Sequence, residues 1–378
     1  MKKPRILFFL HLPPPVHGVT VLNANIVQSS ALRGAFDVKI LPISYSQNIE
    51  GIGRFSLRKI FKTIVLFGRL THRLLRFRPQ LVYFSIVPAG IFFYRDAVFT
   101  WWMKLFRKPV LFHLHGLGVE ESIRGPLSRR IYRRTFQNSS VIQQSSLLAF
   151  DLRKVEADIR KIYVVPNAVP RAEEPRRVKR PGNPLVFIHL STILPAKGQM
   201  DIVQAARRLL DQRVDAFKVI LAGQVYDSGY ASRIENFVRE AGLNAHVEII
   251  GGLFGREKER ALAEGDVFLF PSRREVFGLV VIEAMRAGLP VIAANVGSLP
   301  EIVEAGAGFL YPPGDVEKLA GHMTAFINNP DAAASMGQRA ADTFERKFTF
   351  EVFERKMRDV FLDVLRSATP DIFPRPRD

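Results

Sequence analysis

Short apolar runs alternating with helix-length stretches set the tightest constraint on this chain. Six runs fall in the first half, at residues 5–11, 38–43, 81–85, 110–115, 140–143 and 162–165. Six more fall in the second, at 185–190, 217–222, 247–250, 267–270, 291–293 and 308–310. Most are continuous rather than alternating, as expected of strands covered on both faces. Such strands, each followed by a helical pattern, predict doubly wound parallel sheets. The expected class is therefore α/β, with two sheets.

At 378 residues the chain is too long for one core and suits two domains. Five prolines and dense charge between Pro166 and Pro184 mark an exposed connection. The expected organisation is an N-terminal domain over 1–170, a linker over 171–184 and a C-terminal domain over 185–348. The absence of cysteine excludes disulfides, thiolate metal sites and thiol nucleophiles, and fits a reducing compartment. Near the N-terminus an apolar run ends in His11 and three prolines without a small-residue cleavage site. A first buried strand accounts for it better than a signal peptide. No run of 18 apolar residues predicts a transmembrane helix.

Charge is unevenly spread. Residues 1–180 hold 31 Lys and Arg against 10 Asp and Glu, whereas residues 181–378 hold 23 against 26. The positive field thus belongs to one half, and suits an anionic membrane surface, a phosphorylated acceptor or nucleic acid.

The most chemically specific segment is Phe268-Leu-Phe-Pro-Ser-Arg-Arg-Glu275-Val-Phe277-Gly278-Leu279-Val-Val-Ile-Glu283-Ala-Met. A strand runs into a short loop carrying Glu275, and a helix starting near Leu279 holds Glu283 in its first turns. The amides of Phe277, Gly278 and Leu279 lie at a helix start, where unpaired N–H groups and the helix dipole attract an anion. Gly278 lets that anion approach the backbone. The two carboxylates flank it and can accept from vicinal hydroxyls through charge-assisted bonds. A sugar and a ribose joined by a diphosphate fit this arrangement.

This segment resembles the donor-binding signature of retaining glycosyltransferases of family 4. The resemblance extends through Ala287-Gly-Leu-Pro290, Gly297-Ser-Leu-Pro-Glu301 and Gly308-Phe-Leu-Tyr-Pro-Pro-Gly314-Asp, and upstream to Pro166-Asn167 and Lys197-Gly198. It implies the GT-B architecture, two Rossmann-like domains facing across a cleft that closes on the donor. It also implies that a terminal helix, expected over 350–366, returns to pack on the N-terminal domain rather than completing the C-terminal one. The tail beyond it, rich in proline, is expected to be mobile.

By the same resemblance Glu283 accepts the ribose hydroxyls, Glu275 holds the transferred sugar, and Lys197 neutralises the departing diphosphate. The family's usual Gly-Arg is here Ser191-Thr192, so Thr192 offers only a hydroxyl where a second cation is customary; Arg273 and Arg274 are the candidate substitutes. His115-Gly116 looks like the family's histidine beside the reactive carbon, with His113 on the same side of the strand. His115 and Glu275 are the expected catalytic pair, neither carboxylate being a nucleophile. Gly18 sits in the loop that, in the family, reaches over the cleft. Here it lacks the usual second glycine, and a plain strand-to-helix turn explains it too.

No Asp-x-Asp ends a strand, so neither metal nor another cofactor is expected. Residues 54–78 mix apolar and cationic positions at helical spacing, and 101–108 and 129–134 add aromatic and basic groups. They suit docking on an anionic bilayer, at about 1 kcal/mol per nearby cation. No nucleic-acid-binding motif appears. The expectation is a cytoplasmic enzyme peripheral to the inner face of the plasma membrane. It would move a hexose-type sugar from a nucleotide-sugar, UDP-linked first and GDP-linked next, to a lipid-linked or phosphorylated glycan in polysaccharide or lipopolysaccharide biosynthesis. The alternatives are a sugar-nucleotide epimerase, a sugar-phosphate synthase, or a non-catalytic membrane-associated scaffold.

Overall fold

A computed structural model of the chain describes residues 2–14, 18–43, 57–172, 184–304 and 306–368. Most of the expected linker (173–183), the three residues before Gly18, the first residues of the basic stretch (54–56) and the tail from 369 lie outside the described residues. The chain divides into two compact units, 1–167 with 351–378, and 168–350.

Unit 1 is built on β1 (Arg5–Leu10), β2 (Asp37–Pro42), β3 (Leu81–Phe84), β4 (Val110–His113), β5 (Ser140–Gln143) and β6 (Lys161–Val164), all parallel, in the order β2-β1-β3-β4-β5-β6. The intervening helices are α1 (Gly18–Gln28), α2 (Ser30–Ala35), α3 (Leu57–Arg76), α4 (Gly90–Leu105), α5 (Val119–Ser122) and α6 (Pro126–Phe136). Alternation along β1 separates the two faces. Leu7 and Phe9 join Leu66, Leu70 and Leu74 of α3 and Phe99 and Met103 of α4 in one core. Phe8 points to the opposite face, against Tyr83.

Unit 2 repeats the scheme with β7 (Leu185–Leu190), β8 (Phe217–Ala222), β9 (Val247–Ile250), β10 (Val267–Phe270), β11 (Val291–Ala294) and β12 (Gly308–Tyr311), ordered β12-β11-β10-β7-β8-β9 and again all parallel. Its helices are α7 (Gln199–Asp211), α8 (Ser228–Glu240), α9 (Gly255–Glu264), α10 (Leu279–Ala287), α11 (Leu299–Ile302), α12 (Val316–Asn328) and α13 (Pro330–Lys347). Phe187, Val219 and Leu269 face the core shared with α7, α8 and α12, while Ile188, Phe268 and Phe270 face the one shared with α10 and α13. Helix starts follow ordinary capping. Asp227 accepts from the Tyr230 amide ahead of α8, and Asn329 from the Ala332 amide ahead of Pro330.

The last helix, α14 (Phe350–Ala368), belongs almost wholly to unit 1. Phe353, Met357, Phe361 and Leu365 recur at four-residue spacing and are buried. Phe361 meets Phe8, Phe36 and Tyr83 with ring centroids 5.4–5.8 Å apart. Asp363 accepts from Lys161 and from the Tyr163 hydroxyl, both at 2.7 Å, fixing the helix to β6. No helix among the described residues is long and apolar enough to cross a membrane.

Candidate functional site

In unit 2 the chain runs from β7 outward to β8 and β9, then returns to lay β10 on the other side of β7. The loops after β7 and β10 therefore leave in opposite directions, opening a crevice at the strands' C-terminal ends where ligands bind in such sheets. These two loops carry Lys197 and Glu275.

Close backbone contact stitches the loops together. Pro195–Lys197 forms a single 3₁₀ turn ending at Gly198, which has φ +75°. A Cβ there would stand 2.4 Å from the Pro271 carbonyl oxygen, so only glycine permits the approach. The Arg273 amide donates to the Ala196 carbonyl at 2.9 Å. Lys197 Nζ then reaches Glu275 Oε2 at 2.8 Å and lies over the Phe270 ring. Both side chains are mostly shielded, so this contact is stronger than a surface ion pair.

Glu275 is held from behind as well. Its Oε1 accepts from the Val276 amide at 3.0 Å. The Ser298 amide and hydroxyl both donate to the Val276 carbonyl. Gly297, at φ +55°, lies so close that a Cβ would sit 2.1 Å from the Glu275 carbonyl oxygen.

Phe277 is buried against Phe348, Gly278 adopts φ +77°, and Leu279 opens α10. Glu283 follows one turn later. Its Oε1 accepts from Lys258 of α9 at 2.7 Å. The structure thus brings Lys197, Glu275, Phe277, Gly278, Leu279 and Glu283 to one end of the sheet around an amide-bearing helix start. Each carboxylate is matched to a lysine.

Thr192 lies on the β7 loop, its carbonyl accepting from Gln199 Nε2 at 3.0 Å. Beneath it, His189 is buried, its Nδ1 2.9 Å from the Leu269 carbonyl and its Nε2 2.8 Å from Ser191 Oγ. Burial lowers the His189 pKa to about 4, so the ring is neutral at pH 7. It donates through Nδ1 and accepts from Ser191, whose oxygen accepts in turn from Gln199 at 3.0 Å. Arg273, a candidate second cation, is paired with the buried carboxylate of Asp201 at 2.6 Å.

The remaining expected residues lie in unit 1. His113 ends β4 fully buried, its Nδ1 2.6 Å from the Tyr83 hydroxyl, and burial holds its pKa well below the usual histidine value. His113 is a core residue. His115 stands two residues past the strand end, half-buried, its ring 4.0 Å from that of His113. The Gln144 amide lies 3.2 Å from its Nδ1. The turn beyond it is fixed by the buried Asp151 carboxylate, which accepts from the amides of Gly118, Val119 and Glu120. Burial pushes the Asp151 pKa up against the lowering effect of those bonds. Gly18 is the first residue of α1. Among the described residues, no group of three His, Asp or Glu side chains is placed to hold a metal ion.

Lys258, Asp201, His189 and the Gly297 contact escaped the sequence reading. Only Gly297-Ser298 carried a signal, as part of a quoted motif.

The two doubly wound units define the GT-B fold. Anabaena Alr3699/HepE, solved in complex with UDP, superposes with a TM-score of 0.72 at 21% identity, covering 96% of this chain and all of that one. Residues 170–343 match the family described as glycosyl transferases group 1. N-acetyl-alpha-D-glucosaminyl L-malate synthase of Bacillus anthracis is 32% identical over 184 residues, 48% of this chain and 46% of that protein. The putative colanic acid biosynthesis glycosyltransferase WcaL of Escherichia coli K12 is 30% identical over 236 residues, 60% of this chain and 57% of that protein. The alignments span about half the length of these curated relatives.

Proposed function

We propose that this chain is a retaining glycosyltransferase that takes a hexose-type sugar from a nucleotide-sugar, UDP-linked in preference to GDP-linked. The acceptor is a hydroxyl of a lipid-linked or phosphorylated glycan, in cell-surface polysaccharide or lipopolysaccharide biosynthesis. The observation that carries the reading is the Lys197–Glu275 pair at 2.8 Å beside the Gly278 helix start, with Glu283 one turn on. In this reading the amides of Gly278 and Leu279 and the Lys197 ammonium take the diphosphate, whose charge rises as the sugar leaves. Glu275 orients the sugar hydroxyls and Glu283 the ribose diol. Lys197 and Lys258 hold these carboxylates in place before the donor arrives, which lowers the ordering cost of binding. His115 keeps the role at the reactive carbon that the family resemblance implies, and no metal is required.

The basic N-terminal half supports docking on an anionic membrane at the cytoplasmic face. On α3 the apolar Phe61 and Ile64, and on α4 Ile91, Val98 and Leu105, are exposed, while α3 carries six Lys and Arg and no acid. Apolar side chains beside cations are the makeup of an interfacial surface.

The test is metal-free hydrolysis and thermal-shift screening against UDP- and GDP-sugars, repeated with Glu283→Ala. One donor should stabilise the wild type and be slowly hydrolysed, with both effects lost in the variant. If no nucleotide-sugar shifts the wild type, the donor site is wrongly assigned and a scaffold role moves ahead.

A further inference from the structure

A cavity of about 330 Å³ lies in unit 1, between the C-terminal half of β2 and the last turns of α3. Its walls are Ile40, Leu41 and Pro42 on the strand and Arg69, His72 and Arg73 on the helix. The three helix positions, i, i+3 and i+4, form one patch by helical geometry. Two guanidiniums on adjacent turns repel each other. Neither they nor His72 has an ion-pair partner among the described residues, and α3 itself holds no acidic side chain. Other exposed arginines, among them Arg133, Arg207, Arg208 and Arg346, do meet carboxylates.

The strand adds a donor. β2 is the edge of its sheet, and Asp37 and Ile43 turn their amides toward Pro4 and Leu10 of the inner side. By the two-residue alternation of a strand, Ile40 turns its own amide to the open edge, where the cavity lies. Convergent guanidiniums, an imidazole and a backbone N–H over an apolar floor are complementary to a phosphate with an organic substituent. Arginine forks match its oxygens in pairs, and the volume is that of a small ligand pocket, roughly 300–1,000 Å³.

We propose that this cavity is a phosphate-ester binding site, separate from the donor site of unit 2. The phosphate can be carried by a soluble ester or by an anionic lipid headgroup. The proposal does not rest on the transferase reading, because its test needs no nucleotide-sugar.

The experiment titrates the full-length protein with glycerol 3-phosphate and separately floats it with phosphatidylcholine vesicles containing phosphatidic acid. The variant Arg69→Gln/Arg73→Gln is compared with Arg233→Gln/Arg239→Gln, which removes equal charge from exposed positions of α8 in unit 2. Loss of tenfold or more in affinity confined to the first variant is expected. Saturable binding of glycerol 3-phosphate that competes with the vesicles identifies a soluble ester. Vesicle binding that glycerol 3-phosphate does not displace identifies the lipid headgroup. Arg69→Lys/Arg73→Lys keeps the charge but loses the fork, and should bind at least threefold more weakly than wild type. It decides the matter should the glutamine variant fail to fold. Equal losses in the two glutamine variants, lysine variants indistinguishable from wild type, or no saturable binding to either probe would overturn the proposal.

Discussion

Replacing Gly297 by alanine separates two costs that glycine avoids at the donor loop. The residue has φ +55°, and an added Cβ would lie 2.1 Å from the Glu275 carbonyl oxygen and 2.9 Å from its carbon. Left-handed backbone at a non-glycine residue costs about 1–2 kcal/mol. The overlap requires the loop to retreat by roughly 0.9 Å to reach even a 3.0 Å contact, and overpacking of this kind adds about 1–3 kcal/mol. Gly242 supplies the comparison, with φ +69° and nothing within 4 Å of its added Cβ. Gly242→Ala should therefore cost about 1–2 kcal/mol in urea unfolding and leave donor hydrolysis unchanged. Gly297→Ala should cost about 2–5 kcal/mol in total. It should also cut donor hydrolysis by about 100-fold, because the displaced segment carries Glu275 and a 1 Å misplacement has that order of effect. Matching stability losses and matching hydrolysis in the two variants would refute the claim that close packing behind Glu275 sets its position.

Phe361→Ala should lower the stability of unit 1 by about 3–5 kcal/mol, read as a drop in its melting transition while that of unit 2 stays put. A change under 1 kcal/mol would mean that α14 contributes little to that core. Acid should weaken unit 2 through His189, whose pKa falls from 6.5 to about 4 on folding. The unfolded chain takes up the proton first. The stabilisation is thus complete above pH 6.5 and is lost as pH falls toward 4, amounting to about 3 kcal/mol at 1.36 kcal/mol per unit. The urea midpoint of unit 2 should fall over this window, and His189→Gln should flatten the profile; an unchanged slope in that variant would count against it.

Both sheets were legible because strands covered on two faces leave an unbroken apolar run that few other structures tolerate. Among the described residues all twelve strands fall where such runs lie, with ends shifted by a residue or two. The run at 110–115 illustrates the shift, since pairing stops at His113 and leaves His115 in the turn. The helix start at Leu279 was equally legible, because Gly278 and the preceding strand mark it locally. What escaped were partners distant in sequence. Lys258 lies 25 residues from Glu283, and Asp201 lies 72 from Arg273. Their pairing depends on how α9 and α7 pack, which charge and spacing along the chain do not encode. His189 looked like one more strand residue, and only burial beside the Leu269 carbonyl gives it a bonded role.

The return of α14 to unit 1 imposes an order on synthesis. Unit 2 is continuous, from residue 168 to 350, and can complete its core as soon as those residues leave the ribosome. Unit 1 emerges first, yet Phe8, Phe36 and Tyr83 wait for a ring made some 280 to 350 residues later. The first unit to be translated is thus the last to be finished. During that interval it shows an apolar face that a chaperone can hold and a protease can find.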